Sequence, residues 1–251
     1  EISCSLVGSE MCIRDRPEVL RFADGTLTDT PELWGKRREE IREILQEECY
    51  GRLPLSGWDT EWETVQENRN AFGGKAVLRT VEVRIRANSR YTSYPFQLVL
   101  PKNVQKPPVF VYLTFLPLSS DELMEEITDN GYAVVRVSYQ DIAADQGDGY
   151  TNGPGALFPG NAFDGWGKLA VWAWSVSRIM DYLVDLDEID SKRIAVAGHS
   201  RLGKAALLCG AMDERFSMVI SNDSGAGGIS LFRGKEGENV ADLCRNFPYW
   251  F

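Results

Sequence analysis

His199 is the only histidine in the 251-residue chain, so any chemistry that needs an imidazole has one to draw on. Basic residues are also outnumbered: 27 Lys and Arg face 37 Asp and Glu, for a net charge of −10. Phosphate binding needs a basic face, so no nucleic-acid partner is expected, while neutral polymers stay open. No apolar run reaches the length of a membrane span, and no membrane partner is expected. Internal repeats and low-complexity segments are missing too. The cysteines, five in all, show no metal-ligand spacing.

The first residues stand apart. The stretch LVGSEMCIRD, Leu6 to Asp15, reads as the translation of a sequencing adapter. A signal peptide would need an apolar core after a basic start, and neither is there. Residues 1–16 are therefore set aside as non-native, and Cys4 and Cys12 go with them. Cys49, Cys209 and Cys244 remain, an odd number that implies no disulfide framework. At the other end, CRNFPYWF breaks off in an aromatic cluster without a cap or polar tail. Residues 17–251 are expected to form one domain, truncated at its C-terminal end.

What is present alternates. TPELWGKRREEIREILQEECYG offers Thr30 as N-cap and Pro31 at the first helical position, with a stop near Gly51. KAVLRTVEVRIRA and YPFQLVLP read as strands, and PPVFVYLTF as a strand buried on both faces. A helical stretch over Ser120 to Asn130 leads to a strand in GYAVVRVSY. The long helix WGKLAVWAWSVSRIMDYLVD follows, its tryptophans at 166, 172 and 174 reading as core. Then come strand RIAVAG, helix LGKAALLCGAM and strand FSMVISND. Strands alternating with helices predict an α/β three-layer domain around a mostly parallel sheet.

The chemistry centres on RIAVAGHSRLGKAALL, where a strand runs into a helix through a turn holding Gly198, Ser200 and Gly203. A serine on such a turn projects its hydroxyl above the sheet edge, with backbone N–H groups of the new helix facing a developing oxyanion. The spacing departs from G-x-S-x-G, because Leu202 takes the fifth place and glycine comes one later. A serine here also suits a helix cap, and the local pattern does not choose. His199 is not expected to be the base, since neighbours on a tight turn point different ways; it reads as a packing residue.

GHSRLGKAAL followed by SNDSGAGG resembles the glucuronoyl esterases, carbohydrate esterase family 15. The likeness runs through GYAVVRVSYQDIAAD, DGYTNGPGALF, WAWSVSRIMDYL and GENVADLCRNFPYWF, covering roughly Tyr94 to Phe251. The resemblance implies an α/β-hydrolase fold and makes Ser200 the nucleophile. Arg201 matches an arginine that helps bind the oxyanion, where a fixed guanidinium charge suits the task. Asp223 matches the triad acid, often glutamate in the family; some members place that acid on a later strand, and an Asx turn with Ser224 and Gly225 is the plainer alternative. Lys204 matches a lysine on the sugar acid's hydroxyls, and Glu238 a glutamate that helps hold the uronate. Solvated surface residues are the alternatives for both. His199 replaces a cysteine of the fungal members, pointing to a bacterial source. The LTFLPLSS loop lacks the glycine and asparagine often found after that strand.

The resemblance thus implies a secreted or periplasmic serine carboxylesterase acting on glucuronic or 4-O-methylglucuronic acid esters. Its partner would be glucuronoxylan or the lignin–carbohydrate ester, with no metal and no organic cofactor. The catalytic histidine is expected beyond Phe251, which would leave the 251 residues alone inactive. An acetyl or feruloyl xylan esterase, or a peptidase, is the alternative on the same fold.

Overall fold

A computed structural model describes residues 18–119, 123–158, 165–230 and 236–251. The leader assigned to residues 1–16 lies outside the described residues, as does the start of the helix expected from Ser120.

Seven strands form one sheet in the order β1-β2-β3-β5-β4-β6-β7. They are β1 (Asp59–Asn70), β2 (Ala76–Ala87), β3 (Arg90–Pro101), β4 (Val109–Thr114), β5 (Ala133–Ser138), β6 (Ile194–His199) and β7 (Met218–Asn222). The expectation of a mostly parallel sheet is corrected: the sheet is mixed. Pairings β1–β2, β2–β3 and β3–β5 are antiparallel, and β4–β5, β4–β6 and β6–β7 are parallel. The reason is local. Helical crossovers begin only after β4, whereas the first three strands are joined by short turns, which only antiparallel neighbours allow. Asn88 and Ser89, between β2 and β3, both take positive φ (49° and 59°), the backbone a two-residue hairpin demands.

β1 was not expected. Its EWETVQENRN is almost wholly exposed and lies at the sheet edge, so it lacks the buried alternation that marks a strand.

Helix α1 (Pro31–Leu45) begins as its sequence predicts: Thr30 Oγ1 accepts from the Leu33 N–H at 3.2 Å, and Pro31 opens the helix. One wider turn, Gln46–Tyr50, carries it to Gly51 at φ 77°. Besides two four-residue turns, Ala71–Gly74 and Tyr139–Ile142, the described α-helices that follow are α2 (Met124–Asp129), α3 (Lys168–Val184), α4 (Arg201–Met212) and α5 (Val240–Asn246). No described helix is long and apolar enough to cross a membrane.

Period-two alternation sends neighbouring strand residues to opposite faces. Leu98 and Val135 join the main core with Trp172 and Ile179 of α3 and Leu202 and Ala205 of α4. Val99 and Val134 join a smaller cluster with Met124 of α2 on the other side. α3 buries 14 of its 17 residues, which is why its sequence is apolar almost all round. Trp166, Trp172 and Trp174 are all buried, as core.

Candidate active site

Strand β6 must become helix α4 within one residue, and Ser200 makes the change at φ 54°, ψ −123°. A non-glycine residue in that region is strained and persists only where its surroundings fix it. Three contacts do so. The Ser200 N–H donates to the Asn222 carbonyl of β7 at 2.9 Å, and its own carbonyl accepts from the Lys204 N–H at 3.1 Å. The Ser221 hydroxyl of β7 donates to the Gly203 carbonyl at 2.8 Å.

The departure from G-x-S-x-G has a packing explanation. A Cβ on Gly198 would run into the Leu202 carbonyl, and one on Gly203 would lie 2.8 Å from the Asn222 oxygen. Leu202, in the fifth place, is fully buried and serves the core instead. Gly203 therefore does the close-approach work one residue later. The first N–H groups of α4 have no partner within the helix, so this end can meet a developing oxyanion.

His199 lies exposed beside the serine. Its Nδ1 accepts from the Asn222 amide at 3.2 Å, with that amide as donor, and its ring meets Phe115 edge-on at 6.4 Å.

Arg201 opens α4, where the helix dipole disfavours a cation. A carboxylate offsets this: Arg201 Nη1 is ion-paired with Asp145, whose side chain is 3% exposed. The guanidinium lies 4.9 Å from the Trp250 ring and 5.3 Å from Phe247, and those rings stack at 3.8 Å. Asp145 Oδ1 accepts from Trp250 Nε1 at 2.7 Å.

Lys204 sits one turn after Ser200 and is buried, its ammonium 5.5 Å from the Trp250 ring. Burial pushes its pKa below the ordinary lysine value; Glu238 and Asp223 act against this and Arg201 adds to it. These four charged residues singled out in the sequence therefore share one electrostatic neighbourhood. Asp223 is exposed at φ 45°, directly after β7, and Asn222 before it pairs in register with His199. Aspartate tolerates this backbone better than most residues. Glu238 is exposed, just ahead of α5, whose Asn239 and Asp242 form a reciprocal cap.

Asp145 was not singled out in the sequence, although it ends the segment GYAVVRVSYQDIAAD. Nothing local marks it: its role comes from residues 56 and 105 positions away. Among the described residues, no group of three or more His, Cys, Asp or Glu could hold a metal ion.

The family model for fungal glucuronyl esterases matches residues 83–245. A glucuronoyl esterase structure from Solibacter usitatus superimposes with a TM-score of 0.83 at 32% identity, over 94% of this chain and 70% of that one. A structure described as a promiscuous esterase of carbohydrate esterase family 15, from a marine bacterial metagenome, gives 0.79 at 29% identity, over 94% and 69%. In sequence, a 4-O-methyl-glucuronoyl methylesterase of Podospora anserina is 30% identical over 88% of this chain and 44% of its own length. A carbohydrate esterase from an unknown prokaryotic organism is 29% identical over 94% of this chain and 64% of its length. The chain thus spans less than two thirds of these two curated relatives. The likeness to bacterial structures agrees with the bacterial source suggested by His199. Elbow, mixed sheet and matched segments converge on one assignment: this chain belongs to the glucuronoyl esterase family.

Proposed function

We propose that this chain carries the nucleophile half of a serine carboxylesterase that cleaves esters of glucuronic or 4-O-methylglucuronic acid, as in the linkage between xylan and lignin. The observation that carries the reading is the strained backbone of Ser200, held between β6 and α4 with its hydroxyl at the parallel strands' C-terminal edge.

Ser200 Oγ attacks the uronate carbonyl carbon, and the hydroxyl proton passes to an imidazole. That imidazole is not His199 but a histidine from the part of the family's length that this chain does not span. The carbonyl oxygen becomes an oxyanion, met by Arg201 and by N–H groups at the start of α4. The bond from carbon to the alcohol oxygen then breaks, the imidazole returns its proton to the alcohol, and an acyl-enzyme remains. Water repeats the sequence and frees the uronic acid. Asp223 orients the imidazole and stabilises its charged form. Lys204 and Glu238 hold the sugar hydroxyls. No step calls for a metal or organic cofactor.

Glucuronoxylan and its lignin esters are the substrate class, and a polymer of that size places the enzyme outside the cytoplasm, secreted or periplasmic. The protein expressed from its complete reading frame is expected to hydrolyse methyl or benzyl glucuronate, and Ser200→Ala is not. Equal rates for the two refute the proposal. Because one matched bacterial esterase is described as promiscuous, the same assay includes acetylated xylan. Faster acetyl release than uronate release assigns the chain to the acetyl esterases instead.

A further inference from the structure

We infer that Asp145 is a positioning residue for the reaction, locking the Arg201 guanidinium in the orientation that receives the oxyanion. The inference rests on the reading of Arg201 as an oxyanion donor.

An arginine side chain is long and flexible, and a donor that must meet charge in a transition state is useful only if its orientation is set beforehand. Four groups restrict Arg201. Asp145 takes Nη1 through one carboxylate oxygen. The faces of Trp250 and Phe247 fix the guanidinium plane. The Ser200 turn, directly before it, fixes the backbone. Asp145 is itself immobilised. Its second oxygen accepts from Trp250 Nε1 at 2.7 Å, and its carbonyl accepts from the Tyr249 hydroxyl at 3.2 Å.

Arg201 Nε is buried and has no hydrogen-bond partner. Buried donors are rarely left unpaired in native proteins, and a charged one is costly. Nε is closed off from solvent, as it is in Arg42 and Arg178, so the oxyanion is met by the outer nitrogens of the fork. Asp145 thus does two things: it neutralises a cation placed against the helix dipole, and it occupies one edge of the fork so that the rest stays free for substrate.

The experiment uses the protein from its complete reading frame, assayed on benzyl glucuronate. Asp145→Asn keeps the shape and the acceptor for Trp250 but removes the charge. It is expected to lower kcat about ten- to hundredfold, with KM changed less than about threefold. Trp250→Phe keeps an aromatic face and removes only the N–H, and is expected to lower kcat several-fold. It serves as the test should Asp145→Asn not fold. Arg201→Ala should cost about 10²–10³ in kcat, and adding Asp145→Asn to it should cost nothing further. If Asp145→Asn or Trp250→Phe folds with full kcat, or if the Asp145 and Arg201 losses multiply, the positioning role is wrong while the Arg201 reading stands. If Arg201→Ala itself keeps full kcat, the Arg201 reading falls first and takes this inference with it.

Discussion

The backbone N–H of Ser200 donates to the carbonyl of Asn222 at 2.9 Å, tying the strained turn to the end of the neighbouring strand. Holding a non-glycine residue at φ 54° costs about 1–3 kcal/mol. Replacing Ser200 by glycine removes the strain, offset by the roughly 0.5–1 kcal/mol that glycine's extra freedom costs. Ser200→Gly is therefore expected to be more stable than Ser200→Ala by about 1 kcal/mol, or about 2–4 °C in Tm for a chain of this size. Both variants should lack esterase activity. A thermal melt placing the glycine variant at or below the alanine variant contradicts the strain argument.

Gly203 tests the same turn from the other side. An added Cβ would sit 2.8 Å from the Asn222 oxygen and 3.1 Å from both the Gly198 oxygen and the Ser224 Cβ. Two of those atoms are backbone and cannot retreat alone. Gly203→Ala is expected to destabilise by about 1–3 kcal/mol, the usual cost of overpacking, and to lower kcat by shifting the serine. Gly35, in the exposed part of α1, has open space around its missing Cβ. Gly35→Ala should raise stability by about 0.5–1 kcal/mol. Urea unfolding of the two variants gives the comparison, and equal behaviour would show that crowding at the elbow does not matter.

Legibility in the sequence followed burial. β4, β5 and β6 were readable because a strand covered on both faces is a short apolar run, and Thr30 with Pro31 announced α1. β1 was not, because an exposed edge strand need not alternate. The sheet's mixed character was hidden for another reason: pairing direction depends on connection length, and the sequence shows crossovers only after β4. At the site, the Ser200 turn was visible as glycines at fixed offsets. Asp145 was not, since its partners Arg201 and Trp250 come from distant elements. A local motif can encode a turn but cannot encode a partner across the fold.

The buried ion pair beside the Tyr249 segment carries its own prediction. Lys168 Nζ lies 3.0 Å from Asp148 Oδ1, with side chains only 1% and 9% exposed. Asp148 also accepts from the Tyr150 N–H at 2.9 Å. Removing one partner leaves a buried charge uncompensated, at a cost of about 3–5 kcal/mol. Asp148→Ala is therefore expected to lower Tm by roughly 6 °C or more. Lys168→Met added to it should recover part of that loss but not all, because the loop bond to Tyr150 stays broken. No recovery in the double variant would mean that Asp148 acts through the loop alone.

Lys204 separates stability from function. Its pKa is lowered chiefly by burial, so the ammonium is less favourable in the folded chain than in the unfolded one. The unfolded state then binds more protons between the folded value and the ordinary 10.5, and stability rises with pH across that window. Below the folded value the penalty for charging is fully present; above the unfolded value it is gone. Lys204→Met removes the titrating group at nearly constant volume, so it should raise Tm at neutral pH by an amount that shrinks as the solution becomes alkaline. The same variant should bind the sugar acid worse, raising KM for glucuronate esters about tenfold if one charged hydrogen bond of roughly 1.5 kcal/mol is lost. Melting curves across neutral and alkaline pH, set beside KM, decide the matter. A variant that melts lower than wild type at neutral pH would show that Trp250, Glu238 and Asp223 repay the burial of this lysine, and that it is there for the fold as much as for the substrate.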